Sequence, residues 1–128
     1  MSYYFSKILN MSFNDAIPKV IEELKKEGFG IMTEIDLKEA LKKKLNVDFR
    51  QYKILGACNP PYAYQALQAE DKIGTMLPCN VIVQEMPDGK VEVAAIDPIA
   101  SMQAVRNPAL EGIAIEVQSK LKKVIDKL

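Results

Sequence analysis

The chain has no histidine and no tryptophan among its 128 residues, and only two cysteines. Without an imidazole it holds no Ser/His/Asp or Cys/His catalytic pair, no histidine metal cluster and no imidazole pH switch. An excess of one charge is missing too. Seventeen Lys and Arg stand against 17 Asp and Glu, far from the basic surplus that favours nucleic-acid binding through counterion release. No window approaches the roughly 18 uninterrupted apolar residues that a membrane span requires. The N-terminal stretch Met1-Ser-Tyr-Tyr-Phe-Ser-Lys-Ile-Leu-Asn10 mixes polar with apolar residues, unlike a signal peptide. These absences predict a soluble, cytoplasmic protein with neither membrane nor nucleic acid as partner. Two cysteines are too few to staple a secreted fold, so both are expected to be reduced.

What is present is an ordinary globular mixture, 48% apolar and 27% charged, with no repeat, low-complexity tract or flexible linker. It predicts one domain over residues 1–128. Tyr3 to Leu9 reads as a first strand. Ser12 then offers an N-cap, and Phe13, Ile17, Val20, Ile21 and Leu24 form a helical stripe ending at Gly28, a residue suited to the left-handed position past a helix end. Pro18 inside it donates no hydrogen bond to Asn14, which predicts a kink or a later start. Phe29, Ile31, Thr33 and Ile35 alternate as one face of a second strand. Asp36 with Glu39 reads as a capping box for a short helix whose apolar side is Leu37, Ala40, Leu41 and Leu45. Its Lys42-Lys43-Lys44 run reads as a solvated helix end complementing the dipole rather than as a phosphate site.

Tyr52 to Cys58 reads as a third strand, stopped by Asn59-Pro60-Pro61, after which Tyr62 to Glu70 forms a helix. Val81–Glu85 and Val91–Ile96 flank the hairpin signal Pro87-Asp88-Gly89. Asp97-Pro98 opens a helical turn, and Asn107-Pro108 caps a final helix along the stripe Leu110, Ile113, Ala114, Val117, Leu121, Val124 and Leu128. The fold class this implies is α+β, with helices on one face of a mainly antiparallel sheet. Leu55 and Ala57, Ile82 and Met86, and Ala94 and Ile96 place apolar side chains at alternate positions of the third to fifth strands. A sheet apolar on both faces with too few helices to cover both predicts a homodimer.

The segments Tyr52-Lys-Ile-Leu-Gly-Ala-Cys-Asn-Pro-Pro61 and Gly74-Thr-Met-Leu-Pro-Cys-Asn-Val-Ile-Val83 each put a cysteine at a strand end beside Asn and Pro. With Glu27-Gly-Phe-Gly30, Ile35-Asp-Leu37, the Asp88-Gly89 turn and Asp97-Pro98, they make the chain resemble the domain of unknown function 302 family, small bacterial and archaeal proteins, over nearly its whole length. The resemblance implies a fold like one half of the TATA-box-binding protein: strand, helix, four strands and helix, with extra elements and a tendency to dimerise. It implies no activity, and the nucleic-acid role of that namesake fold does not follow from the fold.

Cys58, Asn59, Pro60 and Cys79 are the candidate functional residues. Cys58 stands where a strand gives way to a helix, whose N-terminal amides favour a thiolate. If the strands flanking that helix are antiparallel, Cys79 returns to the same end of the sheet. Against this stands the plain reading of two inert core thiols. A closed tetrahedral zinc site lacks ligands, capture of a soft metal by two thiolates needs fewer, and no Cys-x-x-Cys motif supports thioredoxin-like exchange. Tyr62 and Tyr64 read as core or rim, Met76, Met86 and Met102 as core fillers, and the adjacent pairs Glu22-Glu23 and Glu70-Asp71 as carboxylates pointing apart. Gly28-x-Gly30 precedes a strand, the wrong context for a phosphate loop. The leading expectation is a dimeric, non-enzymatic binding or accessory module of undefined ligand with no cofactor. The alternative is a thiol-based redox enzyme or sensor, or a soft-metal binder, working through Cys58 and Cys79.

Overall fold

The computed structural model describes residues 2–128. Five strands, β1 (Tyr4–Leu9), β2 (Gly30–Asp36), β3 (Tyr52–Cys58), β4 (Cys79–Glu85) and β5 (Val91–Ile96), form one sheet in the order β1-β5-β4-β3-β2. Every neighbouring pair is antiparallel. β2 to β5 run as a meander, and β1 lies at the far edge from β2. Helix α1 (Phe13–Lys26) must therefore carry the chain across the sheet between those edges. The arrangement is α+β, as the pattern of elements implies, and the TATA-box-binding-protein-like order is compatible with it.

Paired residues share a face and faces alternate along each strand, so the register sorts the side chains. One face carries Leu9, Val91, Val93, Ala95, Val81, Val83, Leu55 and Ala57, all buried. Helices α1 and α5 (Glu111–Lys127) cover it, α1 over β2 and β4, and α5 over β1 and β5. Val20 and Leu24 from α1 and Leu121 and Val124 from α5 meet the strands with no exposed surface. Helix α3 (Pro60–Ala69) leans on α5. Ala66, Ile73 and Leu110 form a smaller core against which Met76 and Met102 pack, the filler role expected of both methionines.

Several local signals act as their chemistry dictates. The Ser12 hydroxyl accepts from the Asp15 amide, and Asp36 accepts from Glu39 at the start of α2 (Leu37–Leu45). Gly28 takes φ +89° beyond α1, where any Cβ would be strained. Lys42 and Lys43 bond Asp48 and Glu39, consistent with a solvated helix end.

Three local expectations are corrected. α1 starts directly after Ser12 and runs unbroken through Pro18, because Pro18 and Asn14 both lie on its exposed side, where water meets the unpaired carbonyl. β2 does not keep one face, because its pairing with β3 slips between Ile31 and Thr33. The extra residue, Met32, sends Thr33 and Ile35 to the opposite side from Phe29 and Ile31. Asn107 caps a 3-10 turn, Pro108–Leu110, whose Ala109 amide it accepts at 3.0 Å, and α5 begins only at Glu111. Among the described residues no helix is long and apolar enough to cross a membrane.

Candidate functional site

β3 and β4 are antiparallel neighbours, so the helix between them is an out-and-back excursion and Cys58 and Cys79 return to one end of the sheet. Ala57 pairs with Cys79, placing Cys58 one residue beyond the partner of Cys79. Cys79 therefore belongs to the helix-covered face, where it packs against the main core. Both cysteines are free thiols, both are partly buried, and they are not in contact with each other. Between them and α5 lies a cavity of about 40 Å³, lined by Cys58, Cys79, Asn59, Tyr62 and Met102 together with apolar side chains that include Phe29 and Val117.

The thiolate expected at Cys58 is not favoured here. Burial raises its pKa. The helix N-terminus gives little in return, because the first two residues of α3 are Pro60 and Pro61, which have no N–H to offer. The amide of Ala63 is already bonded to the Asn59 carbonyl. Burial, with the nearby Cys58 adding to it, pushes the Cys79 thiol up to about 11. Both sulfurs are thus held in the protonated, weakly nucleophilic form at neutral pH.

Asn59 and Pro60 have structural work. Asn59, only 8% exposed, turns its side chain away from α3, and its amide donates to the Glu27 carbonyl at 3.1 Å. This pins the turn at Gly28, whose absent Cβ would press on the Asn59 amide. Pro60, exposed, starts α3. Gly56 on β3 is a further requirement that local sequence does not announce, since a Cβ there would collide with Thr33 Oγ1 and Pro78 Cγ.

The opposite face of the sheet carries no helix from the core layer. Ile54 pairs with Ile82 and with Ile35, Ile82 with Ala94, and Tyr4 with Ile96. Ile8 and Ile35 are 49% and 45% exposed, an unusual cost for isoleucines on a sheet. Across the apolar field runs one polar chain: Arg50 Nε donates to Gln84 Oε1 at 2.9 Å, and Gln84 Nε2 donates to Glu92 Oε1 at 2.8 Å. The Arg50 guanidinium lies 4.4 Å from the Phe49 ring centroid. Tyr4, Tyr52, Ile82, Gln84 and Glu92 help to line a shallow hollow of about 340 Å³ on this face.

Sequence reasoning missed Met102 as a companion of the two thiols, and it missed the Arg50–Gln84–Glu92 chain. The second was within reach. Counting outward from the Asp88-Gly89 hairpin sets Gln84 opposite Glu92. The first had no local signal, because α5 and the turn before it are placed by contacts between distant segments, among them the hydrogen bond from Gln118 Nε2 to Asp97 Oδ1. Among the described residues no three His, Cys, Asp or Glu side chains gather to hold a metal ion.

A family model described as "Domain of unknown function DUF302" matches residues 5–128. The crystal structure of an uncharacterized conserved DUF302 protein from Bacillus stearothermophilus is similar at 27% identity, with a TM-score of 0.91 over 99% of this chain and 98% of that one. No curated protein matches.

Proposed function

This chain belongs to the DUF302 family, a family of unknown function, and from that premise we propose that it is a non-enzymatic binding module whose working form is two copies joined through the uncovered sheet face. One observation carries the reading: a sheet sealed by helices on one side presents isoleucines, alanine and tyrosines on the other. A second copy suits that face. On the three central strands its only charged side chain is Glu92, already engaged by Gln84, and a chain of zero net charge does not repel its copy. Five strands about 4.8 Å apart and about 20 Å long present roughly 500 Å² of projected face, at the small end of specific interfaces. Association is therefore expected at micromolar concentration rather than as an obligate pair.

The same face argues against a nucleic-acid role, since its Arg50 is tied through Gln84 to Glu92 and its three central strands carry no cluster of the lysines and arginines that phosphates require. A redox enzyme built on Cys58 and Cys79 loses its support because both thiols are held protonated. Light scattering coupled to size exclusion at micromolar protein tests the proposal. A mass of twice 14.3 kDa, falling to one chain in Ile82→Asp with the unfolding midpoint retained, is the expected result. A wild-type mass of a single chain overturns it.

A further inference from the structure

The strand register divides the open sheet face into two unlike halves. β4 is the central strand of the sheet, and Ile82 and Gln84 are its side chains along the middle of that face. In the row through Ile82, the neighbours toward β1 are the small Ala94 and Ser6, and those toward β2 are the large Ile54 and Ile35. In the row through Gln84, Glu92 stands on the first side and Tyr52 on the second, where the Arg50 guanidinium lies 5.5 Å from the Tyr52 ring centroid. Small is set against large across β4, and negative against positive. The hollow of about 340 Å³ reaches over the small side, lined by Ala94, Glu92 and Ile96 but not by Ile54 or Ile35.

We infer that two copies meet face to face about a two-fold axis running along β4, with Arg50 of each copy paired to Glu92 of the partner subunit. The inference rests on the reading of this face as the interface, and it adds the orientation and the residues that select it. Such an axis keeps β4 over the partner's β4, β5 over the partner's β3 and β1 over the partner's β2. The two sheets then overlap fully with their strands nearly aligned, a common geometry of packed sheets. Ile54 enters the partner's hollow above Ala94, Ile35 meets Ser6, and Ile82 meets its own copy at the axis.

Charge excludes the other aligned stacking. An axis across the strands would lay each strand on its own copy and set Glu92 against the partner's Ile96, taking a carboxylate out of water with no cation opposite. The unspent hydrogen-bonding groups agree with the axis along β4. Among the described residues Arg50 donates only through Nε, to Gln84, and Glu92 accepts only at Oε1, from Gln84. The Nη donors and Oε2 therefore stay free for a partner. Gln84 spaces the two charges to either side of the axis, so the symmetric contact is made twice. Such pairs fix register and reject wrong partners more than they add affinity.

The test is light scattering coupled to size exclusion at the micromolar concentration where wild type is expected at twice 14.3 kDa. Arg50→Glu and Glu92→Arg should each fall to the mass of one chain, because either reversal sets like charges together at both ends of the contact. The double variant Arg50→Glu/Glu92→Arg restores opposite charges across the axis at zero net charge and should return to two chains. An equimolar mixture of the single variants should do the same. Lys123→Glu, exposed on α5, should stay at two chains, as a control for net charge alone, and urea unfolding midpoints check that each variant folds. A paired wild type with either single reversal still paired, or with the double variant left as single chains, overturns the axis and leaves the sheet-face interface standing. A wild type that runs as single chains overturns both. Should the double variant fail to fold, the mixture decides by the same criterion.

Discussion

Ile54 and Leu55 are neighbours on β3, alike in size and hydropathy, yet they belong to different parts of the protein. Leu55 has no exposed surface and lies beneath the helix layer. Ile54 is half-buried on the other side, between Ile82 and Ile35. The period of a strand thus gives each residue one of two environments, of which one is completed within the chain and the other is left open. What separates them is the number of helices available. α1 and α5 suffice for one face, and α3 is occupied against α5.

The largest effect should come from testing that contrast directly. Leu55→Ala removes buried methyl groups from a packed layer and should cost about 2–5 kcal/mol in urea unfolding. Ile54→Ala at a protein concentration where single chains prevail should cost about 1 kcal/mol or less. Equal losses would show that the open face is as packed as the covered one and would break the comparison.

A second contrast lies in pH. Cys79 on the covered face ionises at about 11 when folded, against about 9 for an unfolded thiol. Between those values the unfolded chain releases its proton and the native chain keeps it, so the unfolded state binds fewer protons and stability falls as pH rises. The loss should reach about 2–3 kcal/mol by pH 11, and Cys79→Ala should be spared it. Alkylation should follow the same order, with Cys58 at the rim reacting faster than Cys79 and both slower than a free thiol at neutral pH.

The smallest effect concerns the joint between α1 and α3. Asn59→Ala leaves the Glu27 carbonyl without its donor and should cost about 1–2 kcal/mol. It should leave self-association through the distant sheet face unchanged. A change in mass by light scattering would show that the two ends of the molecule are coupled.

Much of this was legible residue by residue. Ser12, Gly28 and Asp36 announce the bounds of α1 and α2 because caps and left-handed turns are short-range chemistry. Asp88-Gly89 announces the hairpin for the same reason. The Pro60-Pro61 pair also carried its message locally: a helix that opens on two prolines has few free amides to stabilise a thiolate, and an expectation built on the helix end alone overlooks it.

The sequence by itself therefore determined the five strands, most helix ends and the alternation that makes the sheet apolar on both sides, since each depends on residues a few positions apart. Only the tertiary structure decided the slip at Met32 that turns Ile35 to the open face, the need for a bare Gly56 beneath Thr33 and Pro78, and the meeting of Cys58, Cys79 and Met102 around one cavity. Those depend on which strand lies beside which and on where α5 comes to rest. Such choices are set by the packing of the whole core, and no single segment encodes them.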